Sequence, residues 1–212
     1  MPRKKPAAGA DSTLQVVRRQ AFALFGRYGY EGVSIGDIAR AARLSKGALY
    51  WHFDDKASLY LECLRALHAI FNQHIFDPMR AQSEAVARTL TLFTGLSALL
   101  LDPRVTDGVG GYWLVPSGRE TAGILEAQRA FEAACIDTMK ETLRLGTEEG
   151  RFDYRDDLEE MARAIIALVE AIVLPLRHQT PDEVHRILGV LARTLFRAYA
   201  KEDDLLKLTR SL

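Results

Sequence analysis

Residues 33–56 read V-S-I-G-D-I-A-R-A-A-R-L-S-K-G-A-L-Y-W-H-F-D-D-K. Apolar residues recur at helical spacing behind Ser34, and an acidic residue follows that serine by three positions. This spacing is a capping box, so it predicts that a helix begins after Ser34. Ser45 can cap a second helix, in which Leu49 and Phe53 lie one turn apart and face inward. The stretch therefore predicts two short helices joined by a tight turn.

The second helix leaves small and polar side chains on its outer face, which suits contact with DNA. A recognition helix meets base edges with its N-terminal residues, where Lys46 can donate to a guanine or a phosphate. Gly47 and Ala48 allow the backbone to come close. Tyr50 and His52 can donate to phosphates, although an aromatic patch in a small core would also explain them. The predicted DNA-binding residues are Ser34, Arg43, Ser45, Lys46, Gly47, Ala48, Tyr50, His52 and Lys56.

The strings S-I-G-D-I-A-R-A-A and S-K-G-A-L-Y-W-H-F-D-D-K resemble the TetR/AcrR family of bacterial transcriptional regulators, especially its AcrR-like members. The preceding run Phe25–Ser34 is also similar to that family. The resemblance covers roughly the first quarter of the chain; beyond it, only the helical layout and G-R-F at 150–152 match. It implies an all-α homodimer with one helix-turn-helix per subunit and a C-terminal domain that binds a small molecule and releases DNA.

One position departs from the family pattern. The turn usually carries glycine where this chain has Arg43. Glycine fits because the turn favours a positive φ, which an arginine adopts only at some cost in strain. The arginine side chain is expected either to reach a phosphate or to point into water, and the second is favoured slightly.

The charge distribution agrees with DNA binding. The 212-residue chain has no formal net charge, which alone argues against a nucleic-acid partner. Of its 28 basic and 28 acidic residues, however, ten and five respectively lie within residues 1–56, so the remainder is net acidic by five. A net basic segment at residues 1–56, followed by a net acidic remainder, favours attraction of that segment to DNA phosphates.

The expected fold class is all-α, with about nine helices in total and three segments. Residues 1–12 are predicted to be a disordered basic arm, 13–58 the three-helix DNA-binding domain, and 59–212 a helical effector-binding and dimerisation domain. No signal peptide or membrane span is recognisable, and Cys63 and Cys135 suit buried thiols in a reducing cytoplasm. We therefore expect a cytoplasmic protein without membrane contact.

Caps and prolines predict where further helices begin and end. The first helix is expected to begin at Ser12 or Thr13. A long fourth helix should run from about Asp55 to Phe76, because Asp77-Pro78 follows it. Thr180-Pro181-Asp182-Glu183 is a strong helix start, because Pro181 takes the first helical position and Glu183 can complete a capping box with Thr180.

Two apolar helices near the C-terminus are predicted to hold a dimer together. The run 158–176 is apolar nearly all round, which indicates burial on more than one side, either as a central core helix or against a partner subunit. A C2 pair of such helical hairpins forms a four-helix bundle. The predicted interface residues are Ile165, Val169, Ile172, Leu188, Leu191, Leu195 and Tyr199.

The effector site is harder to predict from the sequence than the DNA-binding site. The candidates lie on the middle helices, where aromatic residues more often form core than pocket: Leu67, Phe71, Phe93, Trp113, Phe131, Cys135 and His178. Gly110–Gly118 is expected to act as a mobile gate, because glycines and a proline interrupt the helix there. The family resemblance and the apolar composition together imply a small, mostly apolar effector.

The predicted function is a sequence-specific repressor that leaves a palindromic operator in double-stranded DNA when the effector binds. A transcriptional activator of the same fold is the alternative within this class. An all-α enzyme or scaffold that does not bind DNA is the alternative outside it. No G-x-S-x-G, P-loop, H-E-x-x-H or C-x-x-C motif is present, so no catalytic residue, metal ligand or cofactor is predicted.

Overall fold

The computed structural model describes residues 8–176, 178–201 and 207–209, with backbone alone for 8–12. The predicted all-α class is confirmed: over this part of the chain the only extended pairing is an isolated bridge between Phe152 and Ala200. No helix in these ranges is long and apolar enough to cross a membrane. The elements are α1 Ala8–Tyr28, α2 Ile35–Ala42, α3 Lys46–Tyr50, α4 Lys56–Phe71, a π-helical turn Asn72–Phe76, α5 Asp77–Arg80, α6 Ala85–Leu100, α7 Pro103–Thr106, a 3-10 turn Gly110–Trp113, α8 Ala122–Glu148, α9 Leu158–Leu176 and α10 Pro181–Tyr199.

The chain divides into two compact units. The first contains the described residues up to Leu67 together with Asp107–Gln128, and the second contains His68–Thr106 together with the described residues from Arg129 onward. The predicted functional division at residues 58 and 59 stays a prediction. Sequence proximity does not reveal that 107–128 belongs with the first unit, because that grouping depends on packing between distant segments.

The first unit has an aromatic core that α1, α4 and the 3-10 turn share. The Tyr60 ring lies 4.8 Å from that of Phe25 and 5.3 Å from those of Tyr30 and Tyr112. The backbone of the 3-10 turn comes so close to α1 that a Cβ atom on Gly111 would lie 2.2 Å from the Phe25 carbonyl oxygen. Only glycine fits there, so the predicted gate region begins with a segment docked tightly on α1.

Two helix bounds differ from the predictions. The first helix begins at Ala8, earlier than Ser12 or Thr13, because alanine-rich sequence favours helix ahead of the polar residues. The rest of the predicted arm, residues 1–7, lies outside the described residues. The helix also continues past Asp77-Pro78 as α5. The π-helical turn makes this possible: the Asp77 amide donates to the Asn72 carbonyl five residues back, and this altered register accommodates a proline within the helical run.

The second unit has its own apolar core, in which the G-R-F segment takes part. Gly150, two residues after the end of α8, has φ 68°. Phe152, two residues further on, is buried against Phe196, with ring centroids 5.5 Å apart. The Asp153 amide donates to the Tyr199 carbonyl at 2.8 Å, which fastens this connection to the end of α10. The capping box predicted at Thr180 is present at the start of α10.

Candidate functional site

The turn between α2 and α3 has the left-handed geometry that the family resemblance implies. Arg43 has φ 57° and ψ 43°, and it is the only non-glycine residue with positive φ in the described ranges. The Leu44 amide donates to the Ala39 carbonyl at 2.9 Å and the Arg43 amide to the Arg40 carbonyl at 3.1 Å. This pair of bonds is the Schellman arrangement that ends a helix around a left-handed residue. The side chain of Arg43 is exposed.

The third helix presents one face to solvent and anchors the other. The Ser45 hydroxyl accepts from the Ala48 amide at 3.2 Å and caps the helix. Leu49 and Phe53 are 1% and 7% exposed, so they hold α3 in the core. Of the predicted contacts, Ala48 is half-buried, whereas Ser45, Lys46, Gly47, Tyr50 and His52 are exposed.

The exposed face contains an aromatic residue that the sequence interpretation left out of the site. Trp51 is 87% exposed, next to Tyr50 at 56%. A tryptophan that its own protein leaves this exposed is normally covered by a binding partner, because large exposed aromatic residues mark interaction surfaces. Trp51 points outward because Leu49 and Phe53 anchor the opposite face of α3 in the core. The sequence alone also allowed these aromatic residues to form a patch in a small core.

Lys46 lies over a glycine of the neighbouring helix. A Cβ atom on Gly36 would come within 2.7 Å of the Lys46 Cε and 3.2 Å of its Nζ. The missing side chain at 36 therefore makes room for the lysine at the start of both short helices. This relation between α2 and α3 is visible only in the folded unit.

Two predicted DNA contacts already have partners in the protein. The capping box is complete: the Asp37 amide donates to the Ser34 hydroxyl at 3.2 Å, and the Ser34 amide donates to the Asp37 carboxylate at 3.0 Å. The Ser34 hydroxyl also donates to that carboxylate at 2.6 Å. This hydrogen bond is the largest of the interactions that lower the Asp37 pKa. The Lys56 ammonium donates to the Tyr30 carbonyl at 3.1 Å and lies 4.0 Å from the centre of the Tyr30 ring. Because an ammonium carries three protons, Lys56 keeps donors for a phosphate.

Among the effector candidates, Phe131 stands at the centre of an aromatic cluster in the second unit. Its ring lies 6.3 Å from that of Phe71 and 6.2 Å from that of Phe76. His68, which the sequence interpretation did not select, stacks on Phe131 with ring centroids 4.0 Å apart and planes 5° apart. Burial lowers the His68 pKa to about 4, so the imidazole is neutral at pH 7. Cys135, one turn after Phe131, is buried, which raises the pKa of its thiol to about 12.

The structure does not gather all the effector candidates. Leu67 and Trp113 belong to the first unit, whereas Phe71, Phe93, Phe131 and Cys135 belong to the second. His178 is exposed. A separate apolar cavity of about 30 Å³ lies among α6, α8, α9 and α10, with Thr89, Leu92 and Tyr154 in its lining. It is far smaller than the several hundred Å³ that drug-sized ligands occupy, so it holds such a ligand only if side chains move.

Comparison with known proteins connects this geometry to a family. Residues 18–63, which contain all of α2 and α3, match the model of the bacterial regulatory proteins of the tetR family. The HTH-type transcriptional regulator AcrR of Shigella flexneri is 41% identical over 59 residues, which are 28% of this chain and 27% of AcrR. Residues 18–63 are therefore similar to the DNA-binding region of the TetR family. The aligned region spans about a quarter of the length of the curated relatives.

Solved structures extend the likeness from this domain to the fold of nearly the whole chain. The SmeT–triclosan complex has a TM-score of 0.68 at 20% identity, covering 91% of this chain and 93% of SmeT. A cysteine mutant of the TetR-family regulator CifR, complexed with 26-bp operator DNA, has a TM-score of 0.67 at 17% identity. The alignment covers 92% of this chain and 99% of CifR.

In the described residues the predicted dimer residues are mostly turned inward. Val169 and Leu188 are 4% and 2% exposed within the single protomer. Ile172 and Leu191 are half-buried, and Ile165, Leu195 and Tyr199 line the small cavity described above. The large apolar side chains exposed on the same two helices are Leu168, Ile187 and Val190, at 44%, 37% and 54%. A shift of one position along a helix changes the direction of the side chain by about 100°. Periodicity alone does not decide which face is buried when apolar residues occur at neighbouring positions.

Proposed function

We propose that this TetR-family protein is a cytoplasmic transcriptional repressor. A homodimer binds a palindromic operator through α3 of each subunit, and a small, mostly apolar molecule bound in the C-terminal domain releases it. Residues 13–58 form the DNA-binding domain in this proposal, and 59–212 form the effector-binding and dimerisation domain.

The observation that carries the proposal is the exposed face of α3. Its core-facing residues are buried, whereas Lys46, Tyr50, Trp51 and His52 all lie in solvent beside a strained tight turn. This face combines a cation, a hydroxyl, an imidazole and an almost fully exposed tryptophan, none of which the core of the protomer buries. The same donors match phosphate oxygens and base edges in a major groove.

The exposed apolar residues of α9 and α10 support a dimer. Leu168, Ile187 and Val190 are the large apolar side chains that these helices expose in the single protomer, and a partner subunit would cover them. Burying the same patch on two subunits related by a twofold axis covers them in both subunits. The dimer then presents two α3 helices to half-sites about one turn of DNA, or a multiple of it, apart.

The aromatic cluster around Phe131 is the effector site that we propose. Three aromatic rings supply apolar contact, and neutral His68 supplies one donor and one acceptor for a polar group on the ligand. The triclosan bound to SmeT supports a small-molecule effector. A ligand that moves α4, which begins at Lys56, would change the spacing of the two α3 helices. A preference of about 1–3 kcal/mol for the DNA-incompetent state relieves repression by about fivefold or more.

The test is selection of duplexes from a random library, followed by binding measurements with variants. Lys46→Ala is expected to weaken binding and to relax base preference, whereas Tyr50→Phe weakens binding to selected and random DNA equally. Lys201→Ala removes one exposed lysine of the second unit and is the matched control. If no duplex is enriched and none binds at low salt, the protein is an all-α enzyme or scaffold instead.

A further inference from the structure

Tyr30 connects a carboxylate to a proposed DNA contact. Its side chain is buried, with 2% of the residue exposed. Its hydroxyl donates to Glu120 Oε1. The face of its ring and its own carbonyl oxygen both contact the Lys56 ammonium, at 4.0 Å and 3.1 Å. All three residues lie in the first unit, although 90 positions separate Tyr30 from Glu120.

The hydrogen bond to Glu120 affects the lysine in two ways. It prevents the phenol ring from sliding, so the surface on which the ammonium rests stays in place. It also draws the hydroxyl proton toward a carboxylate, which makes the ring richer in electrons and strengthens its attraction for a cation. Burial and the Glu120 hydrogen bond both raise the Tyr30 pKa, so the phenol stays protonated and remains a donor.

Glu120 is held by an ordered turn just before α8. The buried Thr121 hydroxyl donates to the Pro116 carbonyl at 2.6 Å, and the Thr121 carbonyl accepts from the amide of Ile124 in the first turn of the helix. Further along the helix, Gln128 donates to the Tyr112 carbonyl at 2.7 Å. The position of Glu120 therefore follows that of the first turns of α8, a helix that continues unbroken to Glu148.

We infer that Glu120 is a positioning residue that, through Tyr30, holds Lys56 ready for a DNA phosphate, and that displacement of the first turn of α8 releases it. The inference depends on the proposed DNA binding. It assigns to the segment before α8 a part in transmitting the effector signal to the DNA-binding surface.

The test depends on the negative charge that Glu120→Gln removes. Removing a carboxylate from a DNA-binding unit normally strengthens binding, because it reduces repulsion of phosphates. We expect Glu120→Gln to do the opposite and weaken binding of the full-length protein to a selected duplex by about fivefold, since it weakens the cation–π attraction that holds Lys56 in place. Glu126→Gln, at an exposed glutamate of α8 in the same unit, is the matched control and should bind as well as the wild type or more tightly.

Two further readouts separate positioning from a general structural effect. Glu120→Gln and Tyr30→Phe should each lower the slope of log affinity against log salt by about 0.9 for every phosphate that the protein no longer neutralises, as Lys56→Ala does. In a Lys56→Ala background, Glu120→Gln should weaken binding no further. Glu120 is exposed, so we expect this variant to fold, and circular dichroism and the melting temperature verify it.

The outcomes are distinct. If the wild type binds no duplex, the proposed function fails. If the wild type binds and Glu120→Gln behaves like Glu126→Gln, only the positioning role is overturned. If Glu120→Gln weakens binding further in the Lys56→Ala background, the positioning role is also overturned.

Discussion

Replacing Arg43 by glycine should make the protein more stable, although it removes a side chain. A non-glycine residue in the left-handed region costs roughly 1–2 kcal/mol, and Arg43 lies there with φ 57°. Glycine avoids this cost but loses more backbone entropy on folding, about 0.5–1 kcal/mol. With the middle of each range, the difference leaves a gain of about 0.75 kcal/mol. For a chain of 150–250 residues, 1 kcal/mol moves the melting temperature by about 2–4 °C, so we expect a rise of about 1–4 °C.

Arg43→Ala is the matched comparison, because alanine also lacks the guanidinium but retains the left-handed penalty. Scanning calorimetry at one fixed protomer concentration measures the glycine and alanine variants against the wild type. The glycine variant should melt highest, and the alanine variant at or slightly below the wild type. Equal melting temperatures for the two variants would refute the strain argument.

The same pair of variants decides what the Arg43 side chain does on DNA. If it points into water, as we expect, both variants retain the salt dependence of wild-type binding. If it neutralises a phosphate, both lower the slope by about 0.9 for that phosphate. A change in the glycine variant alone would show that turn geometry, and not charge, matters for binding.

Three further predictions concern other sites. Ile187→Glu with Val190→Glu should yield monomers in sedimentation and abolish tight operator binding, because the charges would be buried in the proposed interface. Arg186→Glu, at an exposed charged position on α10, is the control. If the double variant remains dimeric, these residues do not belong to the interface. The His68 pKa is lowered to about 4 from 6.5, so the unfolded state binds the proton more readily and stability should fall as the pH drops from 6.5 to 4; His68→Gln should reduce this dependence in urea titrations, and an unchanged dependence would contradict the assignment. Gly36→Ala should not destabilise the protein, since the added Cβ meets the flexible end of Lys46, and a lower melting temperature would show that the lysine's position contributes to stability.

The sequence by itself determined the features that depend on short-range rules. Both predicted capping boxes, at Ser34 and Thr180, are present. The inward direction of Leu49 and Phe53 follows from spacing within a few residues, whereas the left-handed turn at Arg43 was expected from the family resemblance. Hydrogen bonds between neighbours and the 3.6-residue period control such features, so they can be inferred from the amino acids alone.

Only the tertiary structure decided which distant surfaces meet. Docking of Gly111 on α1 and the bond from Tyr30 to Glu120 join segments that are far apart in the chain, and no local pattern specifies either partner. The same is true of the stacking of His68 on Phe131. On α9 and α10, apolar residues occur on several sides, so periodicity permits more than one buried face. Packing against neighbouring helices buried Leu188 and left Ile187 exposed.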